Sequence, residues 1–403
     1  MTAPSLVLVT PFRQYVSKAK EEGFRVCSIW DPRLESPEYL AVVAQRSDEF
    51  ILTDFADRDG LRAVIRDAAL RLDASYVHHA GREDTMLLAY EVADELGKAA
   101  NQPSAVHLLN DKLAMRDLLR RHGVSGLRYA AAPSWRDAAP LLDAVELPAV
   151  VKPTSLAGSR GVLLLRQRSE LAEWGRRLDG YGYRGPVLVE EYLRGQEYSV
   201  ETISVDGVHH VVGVTHKELG APPAFVEMGH VHPAPAAARR HAAMGELTVR
   251  LLTLAGYRNG PAHTEVIWTA AGPKLVESQA RVGGDRIFRL VELATGVDIE
   301  RAMFAVLAGR EPDLAPRHHR VARIGYFAFP AGVLESVSGV VQARDLPYVA
   351  DLHFPFGVGD ALPAVLDSKS RHGYVIVSGD DQAEAARRLA FVQDLVQVDV
   401  KAE

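Results

Sequence analysis

Short apolar runs alternate with helical patterns over the first hundred residues. Buried strands are predicted over residues 6–9, 26–30 and 75–78, and apolar side chains recur at helical spacing over 61–69 and 87–96. Strands that alternate with helices favour a parallel sheet covered on both faces. The turn after the first strand, residues 10–14, contains no glycine. A glycine-rich turn there is what brings a nucleotide's phosphates close to the backbone, so this domain is not expected to bind the nucleotide.

The pattern changes after a predicted helix that stops at Gly123. Five β-type runs then follow with glycine-bearing turns, at 149–152, 162–165, 187–190, 198–203 and 211–214. This spacing predicts antiparallel sheet. A proline-bearing polar stretch at 310–320 predicts a linker, beyond which strands near 323–329 and 374–377 and a closing helix over 381–395 are expected. The predicted domains are 1–103, 104–312 with a lid at about 128–190, and 313–403.

Composition narrows the class of protein without selecting a function. The 403 residues suggest two or three domains, and the net charge of −6 comes with no long run of Lys or Arg. Nucleic acid and anionic membranes are therefore not expected as partners. Cys27 is the only cysteine, and no apolar stretch is long enough to span a bilayer or to serve as a secretion signal. These features predict a cytoplasmic protein.

Lys152 ends an apolar strand and is followed by a loop rich in glycine and serine. An ammonium group in that position needs an anionic partner. The loop residues that could wrap phosphate oxygens are Ser155, Gly158, Ser159, Arg160 and Gly161. Taken alone, Lys152 could be a lysine at a strand end whose ammonium group reaches solvent, and the loop could be an ordinary hairpin. Together they predict a phosphate-binding lid.

Another strand leads into an acidic turn. Glu190, Glu191, Tyr192 and Leu193 end this strand, and Glu197 follows after Arg194-Gly195. Free backbone groups at a strand end can pair with an adenine edge, and a nearby carboxylate can accept ribose hydroxyls. An exposed acidic turn is the alternative interpretation.

Two glutamates lie on consecutive predicted strands. Glu265 and Glu277 are separated by a hairpin at 271–273, so they are expected to face each other. Opposed carboxylates repel unless a cation lies between them, and oxygen ligands suit a Mg²⁺ that also binds substrate phosphates. Gln279 lies on the same face as Glu277. The alternative is a solvated pair of glutamates.

The order of these segments resembles the ATP-grasp superfamily. The segments are Asn110-Asp111-Lys112, Val151-Lys152-Pro153, Gly158–Gly161, Glu191–Leu193 with Glu197, and Glu265 with Glu277–Arg281. The resemblance implies an N-terminal parallel-sheet α/β domain, an antiparallel-sheet lid and catalytic domain, and a C-terminal α+β lobe. It also implies that ATP lies between two antiparallel sheets, with Lys112 and Lys152 on its phosphates and Mg²⁺ at Glu265 and Glu277. Mn²⁺ could substitute for Mg²⁺. The superfamily usually has asparagine where this chain has Gln279, which is one methylene longer.

Within the superfamily the chain resembles the L-amino-acid ligases. The resemblance is carried by Phe225–Pro233, Ala262–Glu265 and Glu277–Arg281. It implies that Glu227 binds a substrate ammonium and that His230 lies near the reacting carboxylate. Two residues would be catalytic: Arg281 by stabilising the tetrahedral oxyanion, and Lys152 by stabilising the transferring phosphoryl group. The substrate pocket would also include Gly284 and Asp285, and an acidic residue at position 285 would suit a cationic or polar nucleophile. A hydrogen-bonded pair of imidazoles at His230 and His232 is the alternative.

The expected activity is an ATP-dependent carboxylate–amine ligase. A carboxylate would attack the γ-phosphate to give an acyl phosphate, an amine would then displace phosphate, and ADP and phosphate would be released. The expected partners are an amino-acid carboxylate and an amine, and two copies of the chain could form a homodimer. Two alternatives stay open: a carboxylase that acts through carboxyphosphate, and a catalytically silent ATP-binding module.

Overall fold

The first sheet is parallel, as the sequence pattern predicts. The computed structural model describes residues 3–81, 85–156, 158–220 and 225–401. The sheet strands are β1 (Ser5–Val9), β2 (Arg25–Trp30), β3 (Glu49–Leu52) and β4 (Ala74–His79), in the order β3-β2-β1-β4. Its helices are α1 (Arg13–Glu21), α2 (Pro37–Arg46), α3 (Arg58–Arg71) and α4 (Met86–Glu95). The β3 strand was not predicted, because all four of its side chains are at least partly exposed and it lacks a buried apolar run.

Two helices and a second, antiparallel sheet follow. The helices are α5 (Pro103–Asn110) and α6 (Lys112–Arg121). The sheet strands are β5 (Tyr129–Ala132), β6 (Ala149–Pro153), β7 (Leu163–Leu165) and β8 (Val187–Glu191), in the order β5-β8-β6-β7. Helices α7 (Leu141–Val145) and α8 (Glu170–Gly180) pack on it around the buried Trp174. This sheet is the predicted lid.

The largest sheet runs from the middle of the chain into its C-terminal part. Its strands are β9 (Gly195–Val205), β10 (Val208–Leu219), β11 (Glu227–His232), β12 (Gly260–Thr269), β13 (Gly272–Gln279), β14 (Val321–Tyr326), β16 (Val349–His353) and β18 (Tyr374–Gly379). Their order is β13-β12-β9-β10-β11-β14-β18-β16, and every described pairing within it is antiparallel. The C-terminal strands thus continue the large sheet, which local sequence patterns did not show.

The remaining helices cover this sheet, and a small sheet completes the C-terminal part. The helices are α9 (Ala238–Ala255), α10 (Ile287–Thr295), α11 (Ile299–Leu307), α12 (Val340–Arg344) and α13 (Gln382–Leu395). The small sheet has the order β17-β15-β19 and consists of β15 (Gly332–Ser338), β17 (Ala361–Leu362) and β19 (Gln397–Lys401). In the part of the chain that is described, no helix is long and apolar enough to cross a membrane.

Candidate active site

A cavity of about 240 Å³ lies between the lid sheet and the large sheet. Most of the predicted site residues line it: Lys112, Lys152, Gly158, Ser159, Glu190, Glu191, Tyr192, Leu193, Glu197, Glu227, His230, Glu265, Glu277, Gln279, Arg281, Gly284 and Asp285. Residues taken from separate stretches of sequence therefore meet in one cleft. We call this cavity the central cleft.

The start of α6 places Lys112 in the central cleft. Asp111 caps the helix by accepting from the backbone N–H of Ala114 at 2.7 Å, and the amide oxygen of Asn110 accepts from the N–H of Ala280 at 2.8 Å. The Asn-Asp-Lys motif therefore ties the helix to the end of β13. Lys112 Nζ lies 3.0 Å from an oxygen of Glu277, so its ammonium faces the cleft.

Lys152 has the anionic partner that its position requires. Its ammonium lies 2.7 Å from Glu190, whose other oxygen accepts from Arg116 at 2.6 Å. Burial would raise the pKa of Glu190, but the two cations outweigh burial and hold it at about 2. Glu190 is therefore an ionised carboxylate fixed between two cations. Arg116 was not predicted, although it lies one helical turn after Lys112 and donates to the carbonyls of Leu275 and Val276.

The lid loop brings some, but not all, of its predicted residues to the cleft. Gly158, Ser159 and Gly161 have positive φ angles of 70°, 58° and 73°. Gly158 and Ser159 line the cleft, and Ser159 donates to Glu227 at 3.3 Å. Ser155, Arg160 and Gly161 are not among the lining residues, and Ser155 is exposed. Their phosphate contacts stay predictions; Ala157 lies outside the described residues.

Two aromatic rings, those of Tyr192 and Phe225, lie in contact in the part of the cleft where adenine was expected to bind. Leu193 and the ring of Tyr192 line the cleft after β8, and the ring centroid of Tyr192 is 6.3 Å from that of Phe225. Glu191, also in the lining, accepts from the backbone N–H and from Nε of Arg128. Two rings at the end of a strand offer a stacking surface for a flat base.

Lys217 is the most important cleft residue that sequence reasoning missed. Its buried ammonium lies 2.7 Å from Glu197, 2.6 Å from Glu265 and 3.4 Å from Glu227. Burial would lower the pKa of Lys217, but the three carboxylates outweigh burial and raise it well above its usual range. Lys217 therefore contacts three carboxylates for which separate roles were predicted: Glu197 for ribose, Glu265 for the metal and Glu227 for the amino acid. Its pairing with Glu197 across β9 and β10 could have been read only from a known strand register.

The two predicted metal ligands are directly opposed. Glu265 pairs with Glu277 in the register of β12 and β13, and Gln279 donates to Glu277 through Nε2. The amide oxygen of Gln279 is buried and has no hydrogen-bond partner in the described structure. Because a buried oxygen without a donor is costly, a cation beside it is chemically reasonable. No group of three or more His, Cys, Asp or Glu side chains suited to a metal occurs within the described ranges.

A buried dyad that was not predicted, His263 with Glu201, lies beside Glu265. His263 Nδ1 lies 2.7 Å from Glu201, and its Nε2 lies 3.5 Å from Glu265. Burial would lower the pKa of His263, but Glu201 outweighs burial and raises it to about 9. Gly283 packs against this dyad: a Cβ there would lie 2.8 Å from Glu201 Oε2 and from His263 Nδ1. The dyad therefore fixes the position of Glu265.

The predicted amino-acid pocket forms one hydrogen-bonded group. His230 Nε2 lies 3.2 Å from Asp285, and Asp285 receives two bonds from Arg371, at 2.8 and 2.7 Å. Burial would raise the pKa of Asp285, but these donors outweigh burial and hold it below its usual range. An acidic group at position 285 was expected to suit a cationic or polar nucleophile, and in the structure its charge is matched by Arg371. Arg371 was missed because it lies 86 residues away from Asp285.

Comparisons with known proteins agree with this geometry. A family model for an ATP-grasp domain matches residues 145–288, and one for the L-amino acid ligase C-terminal domain 2 matches residues 325–401. The chain therefore contains an ATP-grasp domain, followed by an L-amino acid ligase C-terminal domain 2. The ATP-grasp model covers β6 to β8 of the lid together with Glu265 and Glu277, and the predicted resemblance is confirmed.

Relatives of this ATP-grasp chain include ligases. It is 30% identical to the uncharacterized protein y4rH of Sinorhizobium fredii (strain NBRC 101917 / NGR234), over 70% of this chain and 59% of that protein. It is 24% identical to the alanine–anticapsin ligase of Bacillus subtilis (strain 168), over 56% of this chain and 52% of that protein. The chain thus spans only part of the length of these relatives. The crystal structure of an L-amino acid ligase from Bacillus licheniformis matches with a TM-score of 0.83 over 100% of both chains, at 19% identity, which supports the fold.

Proposed function

We propose that the chain joins an amino-acid carboxylate to an amine in an amide bond, with ATP as the energy source. One observation carries the proposal. The central cleft combines cations suited to a polyphosphate, an opposed pair of carboxylates, and Arg281 beside a polar pocket. A module that only bound ATP would need neither Arg281 nor the pocket.

ATP would lie between the lid sheet and the large sheet. Lys112 and Lys152 both line the cleft, and each is paired with a carboxylate, Glu277 and Glu190 respectively. When ATP binds, its phosphate oxygens would replace these carboxylates as the partners of the two ammonium groups. The rings of Tyr192 and Phe225 would stack on adenine, and Glu197 would accept ribose hydroxyls.

Glu265, Glu277 and Gln279 would hold Mg²⁺, for which Mn²⁺ could substitute. The opposed carboxylates and the unpaired amide oxygen of Gln279 fit such an ion. The bound ion would offset negative charge on the phosphates. In the structure, Lys217 neutralises Glu265 and Lys112 neutralises Glu277. The bound ion would replace these two ammonium groups beside the carboxylates, so the charge of the cleft would stay balanced when the ammonium groups turn to the substrates.

The amino acid would bind beside Glu227 and His230. Glu227 would accept from its ammonium group. His230 donates to the ionised Asp285 through Nε2, which leaves Nδ1 as the second polar atom of the ring; this nitrogen is buried and has no partner among the described residues. A buried nitrogen of this kind is suited to a polar group of the substrate.

Two displacements would complete the reaction. A carboxylate oxygen attacks the γ-phosphorus, the bond to the β-phosphate oxygen breaks, and ADP leaves. The amine nitrogen then attacks the acyl carbon, gives up a proton, and phosphate leaves with the former carboxylate oxygen. Lys152 would stabilise the transferring phosphoryl group and Arg281 the tetrahedral oxyanion, a contribution that is typically about 3 kcal/mol.

Phosphate release tests the proposal. Protein with ATP, Mg²⁺ and pooled amino acids should release phosphate only when a carboxylate and an amine are both present. Turnover that requires bicarbonate would favour a carboxylase, and no turnover with any pool would favour a silent ATP-binding module. Pyrophosphate in place of phosphate would contradict the acyl-phosphate route.

Glu277→Gln tests the metal assignment. The variant should lose at least 100-fold in kcat/KM, because the amide cannot supply the second negative charge. Glu173→Gln is the matched control, since Glu173 forms an exposed pair with Arg177 on the lid, away from the cleft. Full turnover by Glu277→Gln would refute the assignment. The domain boundaries, the homodimer and the cytoplasmic location stay predictions.

A further inference from the structure

A loop from the C-terminal part of the chain reaches the amino-acid pocket. The loop comprises residues 363–372, between β17 and β18. His372 anchors it: Nδ1 accepts from the N–H of Phe329 at 3.0 Å, and Nε2 donates to the carbonyl of Pro363 at 2.8 Å. Asp367 accepts from the N–H groups of Lys369 and Ser370. The loop is therefore held by a buried imidazole and an internal turn rather than by solvent-exposed contacts.

Arg371 uses this anchored loop to hold the wall of the pocket. Its Nε donates to the carbonyl of Ser368, and its Nη1 donates to the carbonyl of Glu227 at 2.9 Å. The same guanidinium makes the two-pronged contact with Asp285 and lies 3.5 Å above the ring of Tyr326. These partners hold the guanidinium in one position. Its planar fork of N–H donors matches the two oxygens of a carboxylate.

Ser368 extends the loop to the pocket carboxylate. Its hydroxyl donates to Glu227 Oε2 at 2.6 Å, the same oxygen that accepts from Ser159 of the lid. The N–H of Ser368 donates to the carbonyl of Gly158 at 3.4 Å. The lid and the C-terminal loop thus meet on one oxygen of Glu227, so the C-terminal loop completes the pocket.

The Asp285–Arg371 pair sets the charge of this wall. Asp285 lines the cleft, and the side chain of Arg371 is only 7% exposed. An unpaired carboxylate in this position would favour a cationic substrate, and an unpaired guanidinium would favour an anionic one. Because the pair is complete, it is polar but adds no net charge to the wall.

We propose that Arg371 is a specificity-determining residue which, by neutralising Asp285, makes the pocket select amino acids with uncharged side chains. The inference rests on the proposed function in so far as the pocket takes an amino acid. It refines the expectation that an acidic residue at position 285 would suit a cationic or polar nucleophile, because the charge of Asp285 is matched by Arg371.

Removing either member of the pair should change the preference in opposite directions. Affinities for alanine, leucine, aspartate and lysine would be measured by calorimetry with ADP and Mg²⁺, alongside phosphate release with ATP. The wild type should prefer alanine or leucine. Relative to that preference, Asp285→Asn should favour aspartate at least tenfold and Arg371→Gln should favour lysine at least tenfold. The double variant should return to within threefold of the wild-type preference.

A purely structural role would give a different pattern. Both single variants would then weaken all four amino acids by the same factor, and this result would overturn the inference. Arg388→Gln is the matched control, because Arg388 also contacts a carbonyl, a carboxylate and an aromatic ring but lies outside the cleft lining. It should leave the preference within threefold of the wild type.

The outcomes also separate this inference from the proposed function. Binding of neutral amino acids without turnover, with opposite shifts in the variants, would support the inference and contradict the ligase. Turnover with uniform losses would do the reverse, and a wild type that bound none of the four would contradict both. If the single variants fail to fold, Arg371→Lys serves: it keeps a cation beside Asp285, so the preference among the four amino acids should stay within threefold of that of the wild type. A shift of tenfold or more towards lysine or aspartate would overturn the inference.

Discussion

Glu190 shows how single residues of the cleft couple stability to pH. Its carboxylate is buried between Arg116 and Lys152, and its pKa falls from the usual 4.5 to about 2. The unfolded chain binds the proton more tightly than the folded protein does. Stability from this group is therefore fully present above about pH 5 and is lost as the pH falls through about 2.

Glu190→Gln should remove this contribution. We expect the variant to be less stable than the wild type by about 3 kcal/mol at pH 7, because the shift of about two and a half pKa units is lost. The difference should shrink as the pH falls from 5 towards 2. Urea unfolding of both proteins across this range measures it, and a difference independent of pH would contradict the assignment.

Residues that belong to local motifs could be predicted, and residues defined by distant partners could not. Lys152 and Glu277 were found because their neighbours in sequence make a buried charge unusual. Lys217 and Arg371 lie in ordinary-looking segments, and their partners Glu265 and Asp285 are 48 and 86 residues away. Only strand register and loop placement bring such pairs together.

At the scale of elements, the lid depends on glycines that no other residue replaces easily. Gly161 has a φ of +73°, and a Cβ there would lie 2.5 Å from a methyl group of Leu178. Gly182 has nearly the same φ, +71°, but nothing lies within 4 Å of its Cβ position. The two positions share a backbone cost and differ in packing.

Gly161→Ala should therefore be more harmful than Gly182→Ala. Both variants should lose about 1 kcal/mol for the left-handed backbone, and Gly161→Ala should lose a further 1 to 3 kcal/mol, roughly, for the clash. Hydrogen exchange of the β6 and β8 amides reports the stability of the lid. Equal protection in the two variants would show that Leu178 does not restrict this position.

Elements with a clear pattern were predictable, and the exceptions have physical reasons. The apolar strands β1, β2 and β4 were predicted because they are largely buried, whereas β3 has no buried side chain. The run Gly180-Tyr181-Gly182-Tyr183-Arg184-Gly185 matches a dinucleotide-binding pattern but ends α8 and precedes β8, so it is a turn. The direction of neighbouring elements decides such cases.

At the scale of the molecule, ion pairs join the N-terminal part to the large sheet's helices. Lys18 of α1 lies 2.7 Å from both Asp298 and Glu300, and Glu300 is 1% exposed. Beside them, Glu22 pairs with Arg301 and Arg310. Apolar contacts between α1 and α11, such as Tyr15 with Phe304, surround these charges.

Lys18→Met should weaken this junction. The change leaves Glu300 buried without its cation, which costs about 3 kcal/mol. Lys20→Met on the same helix is the control, because Lys20 pairs with Asp48 at the surface, where ion pairs contribute at most about 1 kcal/mol. Thermal unfolding should show a clear fall in Tm for Lys18→Met alone; equal shifts would contradict the account.

The continuity of the large sheet was the feature of the whole molecule least accessible to prediction. Pairing of β11 with β14 joins Gly229 to Gly325 and His230 to Ile324. The predicted linker at 310–320 does separate α11 from β14, yet the strands beyond it return to the catalytic sheet. This return brings Arg371 to the pocket.

In the proposed reaction, a carboxylate oxygen of the amino acid is transferred to the phosphate that is released. A neutral amino acid labelled with ¹⁸O in its carboxylate, supplied with ATP, Mg²⁺ and an amine, tests it by mass spectrometry of the products. We expect one ¹⁸O in each phosphate released and none in ADP. Phosphate without the label would contradict the acyl-phosphate route and the proposed ligase.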